Sequence, residues 1–312
     1  MIPGGRITLV SGQPLMSADV TSATLWYAPY NSDTFPVFDG SAWQQVTFSS
    51  SPSDQVGPSL SCGSKWSAGT SRDVFGLANG MICTGPAWPA PDDISRNLIR
   101  YNGVKVNSAA MTLDTSATAS VSVPQYQATW LGSIHNSVAG QLSYLASYGQ
   151  DRKCEIWTAY DWNQVDIVLH VGVVLPTGVW VPTNQYPAWA PFNNDAMNRG
   201  TPFTGAPTLV DNTYYQSAFI NSQYGASGLI SVVGWDGVGL GYWNKFSSDL
   251  TNMASSISGE ARYLAEHSVG VHTATMFVAK VNTPKSTAWS GAPNPPWTHP
   301  EFNQEMLIRY RG

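Results

Sequence analysis

The chain has 312 residues, 43% of them hydrophobic, which suffices for a sizeable core and argues against wholesale disorder. Charged residues reach only 11%, under half the roughly 25% of ordinary globular chains. Uncharged polar and aromatic residues replace them, which disfavours helices with Glu- and Lys-rich outer faces. A net charge of −5, with 15 unclustered Lys and Arg, leaves no basic footprint for nucleic acid or an anionic membrane.

The opening segment MIPGGRITLVSG lacks the apolar run of a signal peptide. Asp39-Gly40, between apolar runs at 35–38 and 43–48, predicts a hairpin. Residues 49–71, rich in Ser, Gly and Pro, read as a long loop. Pro91-Asp92-Asp93 has the chemistry of a helix start and predicts a short helical turn reaching residue 100. Asn102-Gly103 predicts a second hairpin, and Asp236-Gly237 a third between strands at 230–235 and 238–243. A stretch at 167–181 is apolar but interrupted by His170, Gly172, Pro176 and Thr177, too broken to cross a bilayer. Segments 183–207 and 283–299 read as Pro-rich loops, and 248–257 as a weak second helix. Residues 273–281 alternate as a strand. In the last strand Met306, Ile308 and Tyr310 face one side, and Leu307, Arg309 and Arg311 the other. The expectation is an all-β chain of two antiparallel, jelly-roll-like β-sandwiches, residues 1–168 and 169–312, with long loops and little helix.

Residues 5–30, GRITLVSGQPLMSADVTSATLWYAPY, resemble the opening of a module common in structural proteins of tailed bacteriophages. Gly5, Arg6, Leu9, Ser11, Gly12, Pro14, Asp19, Tyr27, Pro29 and Tyr30 hold its places. The resemblance continues collinearly to about residue 165. Phe38-Asp39-Gly40 with Trp43 resembles its aromatic-D-G-x-x-W hairpin, and Arg72-Asp73-Val74-Phe75 its Y-D-V-F strand, with Arg in place of Tyr. Asn102 to Val106 is similar to its D-G-V-x-V hairpin, and Trp130-Leu131-Gly132-Ser133-Ile134 to its Y-L-G-T-I strand. Ile156-Trp157 with residues 160–165 resembles its closing strand. The resemblance implies a non-enzymatic virion component located in the phage particle, assembled in the bacterial cytoplasm and contacting other virion proteins. A tail fibre or spike for host attachment is the first expectation, as a homo-oligomer with a trimer as first guess. A capsid decoration or head-fibre protein is the alternative, and a polysaccharide-degrading spike is the alternative of a different class.

Glycan cleavage needs two carboxylates about 5–9.5 Å apart in a cleft. Glu155, Asp161, Asp166, Asp195, Asp236 and Glu260 have aromatic neighbours, and Asp161 and Asp236 are the foremost candidates. Asp236, before Gly237, is equally the expected turn residue. His267 and His272, five apart, fall on opposite faces of a single strand, which disfavours a shared metal. No phosphate-binding or dinucleotide-binding loop is present, so no cofactor is implied. Cys62, Cys83 and Cys154 read as buried free thiols, with a Cys62–Cys83 bridge as the alternative. Aromatic and amide residues of the Pro-rich loops, Trp180, Tyr186, Trp189, Phe192, Asn193, Asn194, Trp297 and Phe302, are candidate contacts to a host surface glycan or to a neighbouring subunit.

Overall fold

The computed structural model describes residues 2–48, 56–90, 95–159, 166–172, 179–180, 188, 190–191, 195–222, 227–248, 253–280, 287–290 and 304–311. For 179–180, 190, 214–222, 227–230, 240–248, 253–259, 278–280, 287–290 and 304 it describes the backbone alone. The architecture is all-β, built from antiparallel sheets in sandwich-like arrangement, and the described residues contain no α-helix. A single 3-10 turn, Gly63–Lys65, is the helical exception.

The first hairpins form where the turn dipeptides require them. Thr34–Phe38 pairs with Trp43–Thr47 around Asp39-Gly40, and Leu98–Tyr101 pairs with Val104–Asn107 around Asn102-Gly103. Asn102 and Gly103 both have positive φ (47° and 88°), the signature of a type I′ turn, whose twist matches the strands it joins. An eight-stranded sheet is centred on Thr129–Asn136, which pairs with Thr70–Gly76, Val104–Asn107 and Ile156–Thr158. That central strand is nearly all buried, as expected of a strand covered on both faces.

Two nested antiparallel ladders span the described residues between 208 and 267. Thr208 faces His267, Ser222 faces Met253, and Ser227 faces Ser248, so the inner ladder begins in the register of the outer one. The register slips once, between Ser231 and Val233, before the turn at Asp236-Gly237, again with both φ positive. The outer ladder, Thr208–Ser222 with Met253–His267, belongs to a six-stranded sheet with Asp166–Gly172 and Gln304–Arg311. The inner ladder, Ser227–Trp235 with Val238–Ser248, belongs to a nine-stranded sheet. This nesting puts the tip of the inner ladder beside the His267 end of the outer one.

That nine-stranded sheet also contains Val20–Ser22, Leu142–Leu145 and Arg152–Cys154 from the N-terminal half. The join is Arg152–Cys154 against Arg199–Thr204, the only parallel pairing between two strands among the described residues. One buried cluster runs from Ile7, Tyr27 and Phe35 through Leu131 to Val171, Met306 and Ile308. The strand Asp166–Gly172 itself spans position 168.

Several expectations need correction. Leu98–Tyr101 is a strand, so the helical turn expected to reach residue 100 does not extend there; residues 91–94 lie outside the described residues. Met253–His267 is a strand where 248–257 suggested a helix, because fifteen consecutive pairs with Thr208–Ser222 outweigh weak local propensity. The expected loop at 49–71 contains a short strand, Ser59–Leu60, and the one at 183–207 contains the joining strand Arg199–Thr204. Both strands are set by partners distant in sequence. All three cysteines are free and buried.

Candidate functional site

Asp73 is the centre of the best-connected polar group in the N-terminal half. Its Oδ1 accepts from Trp130 Nε1 (3.0 Å), Ser133 Oγ (2.8 Å) and Arg96 Nη2; its Oδ2 accepts from Trp88 Nε1 (3.1 Å) and Arg96 Nε (3.2 Å). The Arg96 side chain is fully buried, lies 4.1 Å above the Trp88 ring, and donates through Nη1 to Gly205 O (2.6 Å). Burying a carboxylate is tolerable only with this density of donors and a countercharge. Asp73, Trp130 and Ser133 come from two paired strands, Thr70–Gly76 and Thr129–Asn136. Through Arg96 they join the central strand to the turn that precedes Thr208–Ser222.

A cavity of about 370 Å³ opens at the parallel join. Alternation accounts for much of its lining: Asp151, Lys153 and Glu155, the outer two flanking the strand Arg152–Cys154, lie two apart, as do Arg199, Thr201 and Phe203 on the other strand, and Cys154 also reaches the cavity. Lys153 and Thr201 are in direct register. Glu155 is almost wholly buried and holds the loop ahead of it: Oε2 accepts from Ser143 N (2.6 Å), and Oε1 from Ser137 N (3.1 Å). Lys153 Nζ sits 3.5 Å from Glu155 Oε1 and donates to Ser137 Oγ at 2.7 Å. At the more exposed side Arg199 Nε donates to Asp151 Oδ1 (2.9 Å). His135 contributes from the central strand; its Nδ1 bonds Ser71 Oγ (3.0 Å), and burial pushes its pKa down, favouring neutral imidazole.

At the inner ladder's tip, Trp235 stacks on His267 (centroids 3.9 Å) and on His272 (5.1 Å). Asp236 accepts from Thr273 N (2.8 Å) and bonds His272 Nδ1 (2.9 Å), while His272 Nε2 faces Ser268 O (2.9 Å). Burial, and secondarily the neighbouring His272, push the His267 pKa down to about 4. The two imidazoles do not sit on opposite faces of one strand, as their spacing suggested. The chain turns between them, bringing the rings to 5.6 Å. Among the described residues no cluster of His, Cys, Asp or Glu could hold a metal ion.

The other carboxylates considered for catalysis have structural partners or lie apart. Asp236 occupies the left-handed turn position, and Asp195 bonds Gln150 Nε2 (2.6 Å) and Met197 N (2.9 Å). Asp166 lies near Arg309 and Arg311 at the edge of the six-stranded sheet, Glu260 is exposed, and Asp161 lies outside the described residues. Of the aromatic-loop candidates, Trp180 is described only by its backbone, in the short strand Val179–Trp180. Tyr186, Trp189, Phe192, Asn193, Asn194, Trp297 and Phe302 lie outside the described residues. The cavity was missed because its signal, D-x-K-x-E at 151–155 and R-x-T-x-F at 199–203, means little until the two strands are known to pair. Compared with known proteins, the sequence matches no family model and no curated protein.

Proposed function

We propose that this chain is a non-enzymatic structural component of a tailed-phage particle, acting in a tail fibre or spike that attaches the particle to its host. The observation that carries the reading is the collinear set of phage-module segments across residues 5–165. Asp73, Trp130 and Ser133 fall in those segments and bond to one another, while Arg96 and Trp88, which complete the same polar group, lie outside them. A surface of uncharged polar groups suits such a part, because it makes wet, adaptable contacts with little non-specific adhesion. Self-association and contacts with other virion proteins belong to the same proposal.

Immunogold labelling of intact particles with an antibody to this chain tests it. Label on tail fibres is the expected result. Label over the head would replace attachment with capsid decoration, and particles that neither bind label nor yield the chain by mass spectrometry would refute the virion assignment.

A further inference from the structure

We propose that the cavity at the parallel join is a binding site for one uncharged sugar unit of a glycan chain. The choice of a sugar rests on the attachment reading above; the choice of an uncharged polar ligand rests on the cavity alone. Its two cations are each matched by an anion, Lys153 by Glu155 and Arg199 by Asp151, and His135 is kept neutral by burial. A phosphate, sulfate or carboxylate would therefore enter a cavity with no net countercharge. Hydroxyl groups suit it, since they donate and accept.

The lining retains that capacity after its internal bonds are made. Arg199 uses Nε on Asp151, and its Nη groups have no acceptor among the described residues. Ser137 accepts from Lys153, which leaves its own proton to donate. His135 keeps Nε2, and Thr201 and Thr273 add hydroxyls. The internal ion pairs hold these groups in place before a ligand arrives, which lowers the ordering cost of binding. Glu155, anchored by two backbone N–H groups, is a fixed support beneath Lys153. The volume, at the low end of small-molecule sites, suits one sugar residue with the rest of the glycan extending past the half-buried Arg199–Asp151 pair.

The test is saturation-transfer NMR on the full chain with methyl glycosides of glucose, galactose, mannose, rhamnose and N-acetylglucosamine, followed by titration of any binder. Two variants accompany it: Arg199→Met, which removes the spare donors, and Thr273→Phe, which adds bulk to the lining. Circular dichroism shows whether each is folded. Saturation of at least one neutral glycoside, weakened about tenfold or more in both folded variants, is the expected result. Binding that both variants leave intact would put the sugar elsewhere and overturn the site. Absence of binding to the whole panel would also overturn it. The attachment reading fails separately, if the purified chain neither binds host cells nor blocks particle adsorption.

Discussion

Removing Arg96 tests whether the buried Asp73 group holds the N-terminal framework to the turn before Thr208–Ser222. In Arg96→Met the alkyl stem is kept and the guanidinium lost, and with it the bonds to both Asp73 oxygens, Ser133 Oγ and Gly205 O. Asp73 is 6% exposed, so its charge would lose its countercharge without gaining water. Breaking a buried pair from one side costs about 3–5 kcal/mol. Losing the stack on Trp88 adds roughly 1 kcal/mol, whereas the remaining donors from Trp88, Trp130 and Ser133 soften the loss. A net cost of about 4 kcal/mol would be a large share of the roughly 5–15 kcal/mol available to a folded chain, and would lower Tm on the order of 10 °C. Urea unfolding of wild type, Arg96→Met, Asp73→Asn and the double variant measures the cycle. The double variant should be about 2 kcal/mol or more less destabilised than the two single costs together, because it leaves no unmatched charge. A cost under about 1 kcal/mol for Arg96→Met, or simple additivity across the cycle, would refute the argument.

Three further outcomes follow from the geometry. His267, with a folded pKa of about 4 against an ordinary 6.5, is protonated more readily in the unfolded chain. Its stabilising contribution is therefore full above pH 6.5 and is lost as pH falls towards 4, by roughly 1–3 kcal/mol after allowance for partial solvation. His267→Phe, which keeps a ring beside Trp235, should flatten that part of the pH–stability curve, and an unchanged slope would count against the assignment. Gly132 has φ +154°, and a Cβ there would lie 2.2 Å from Trp157 O, so Gly132→Ala should lower stability by roughly 2 kcal/mol or more in thermal melts. A wild-type Tm would show that the central strand shifts more easily than its packing implies. Burial pushes the Cys154 thiol up to about 11 and raises those of Cys62 and Cys83, so a thiol reagent at neutral pH should titrate none in the native chain and all three in urea. Fast labelling of the native chain would contradict this burial.

The elements legible in the sequence are those set by short-range chemistry. Asn102-Gly103 and Asp236-Gly237 dictate their turns, because only such pairs adopt two successive positive φ angles cheaply. The last strand's two faces were equally plain: Met306, Ile308 and Tyr310 are buried and Arg309 and Arg311 exposed, since a period of two needs only one side of the sheet to be covered. Tertiary structure alone decided the rest. Arg199–Thr204 looks like a loop among Pro, Asn and Gly until Arg152–Cys154 pairs with it in parallel. Met253–His267 looks weakly helical until Thr208–Ser222 lies beside it. The cavity and the imidazole stack depend on those pairings, and they join residues that alternation places on a common face but sequence distance keeps apart. A hairpin turn is specified by two residues, whereas a site at a sheet join is specified by which strands meet. That choice is made by burial of the whole core, which no local window of the sequence contains.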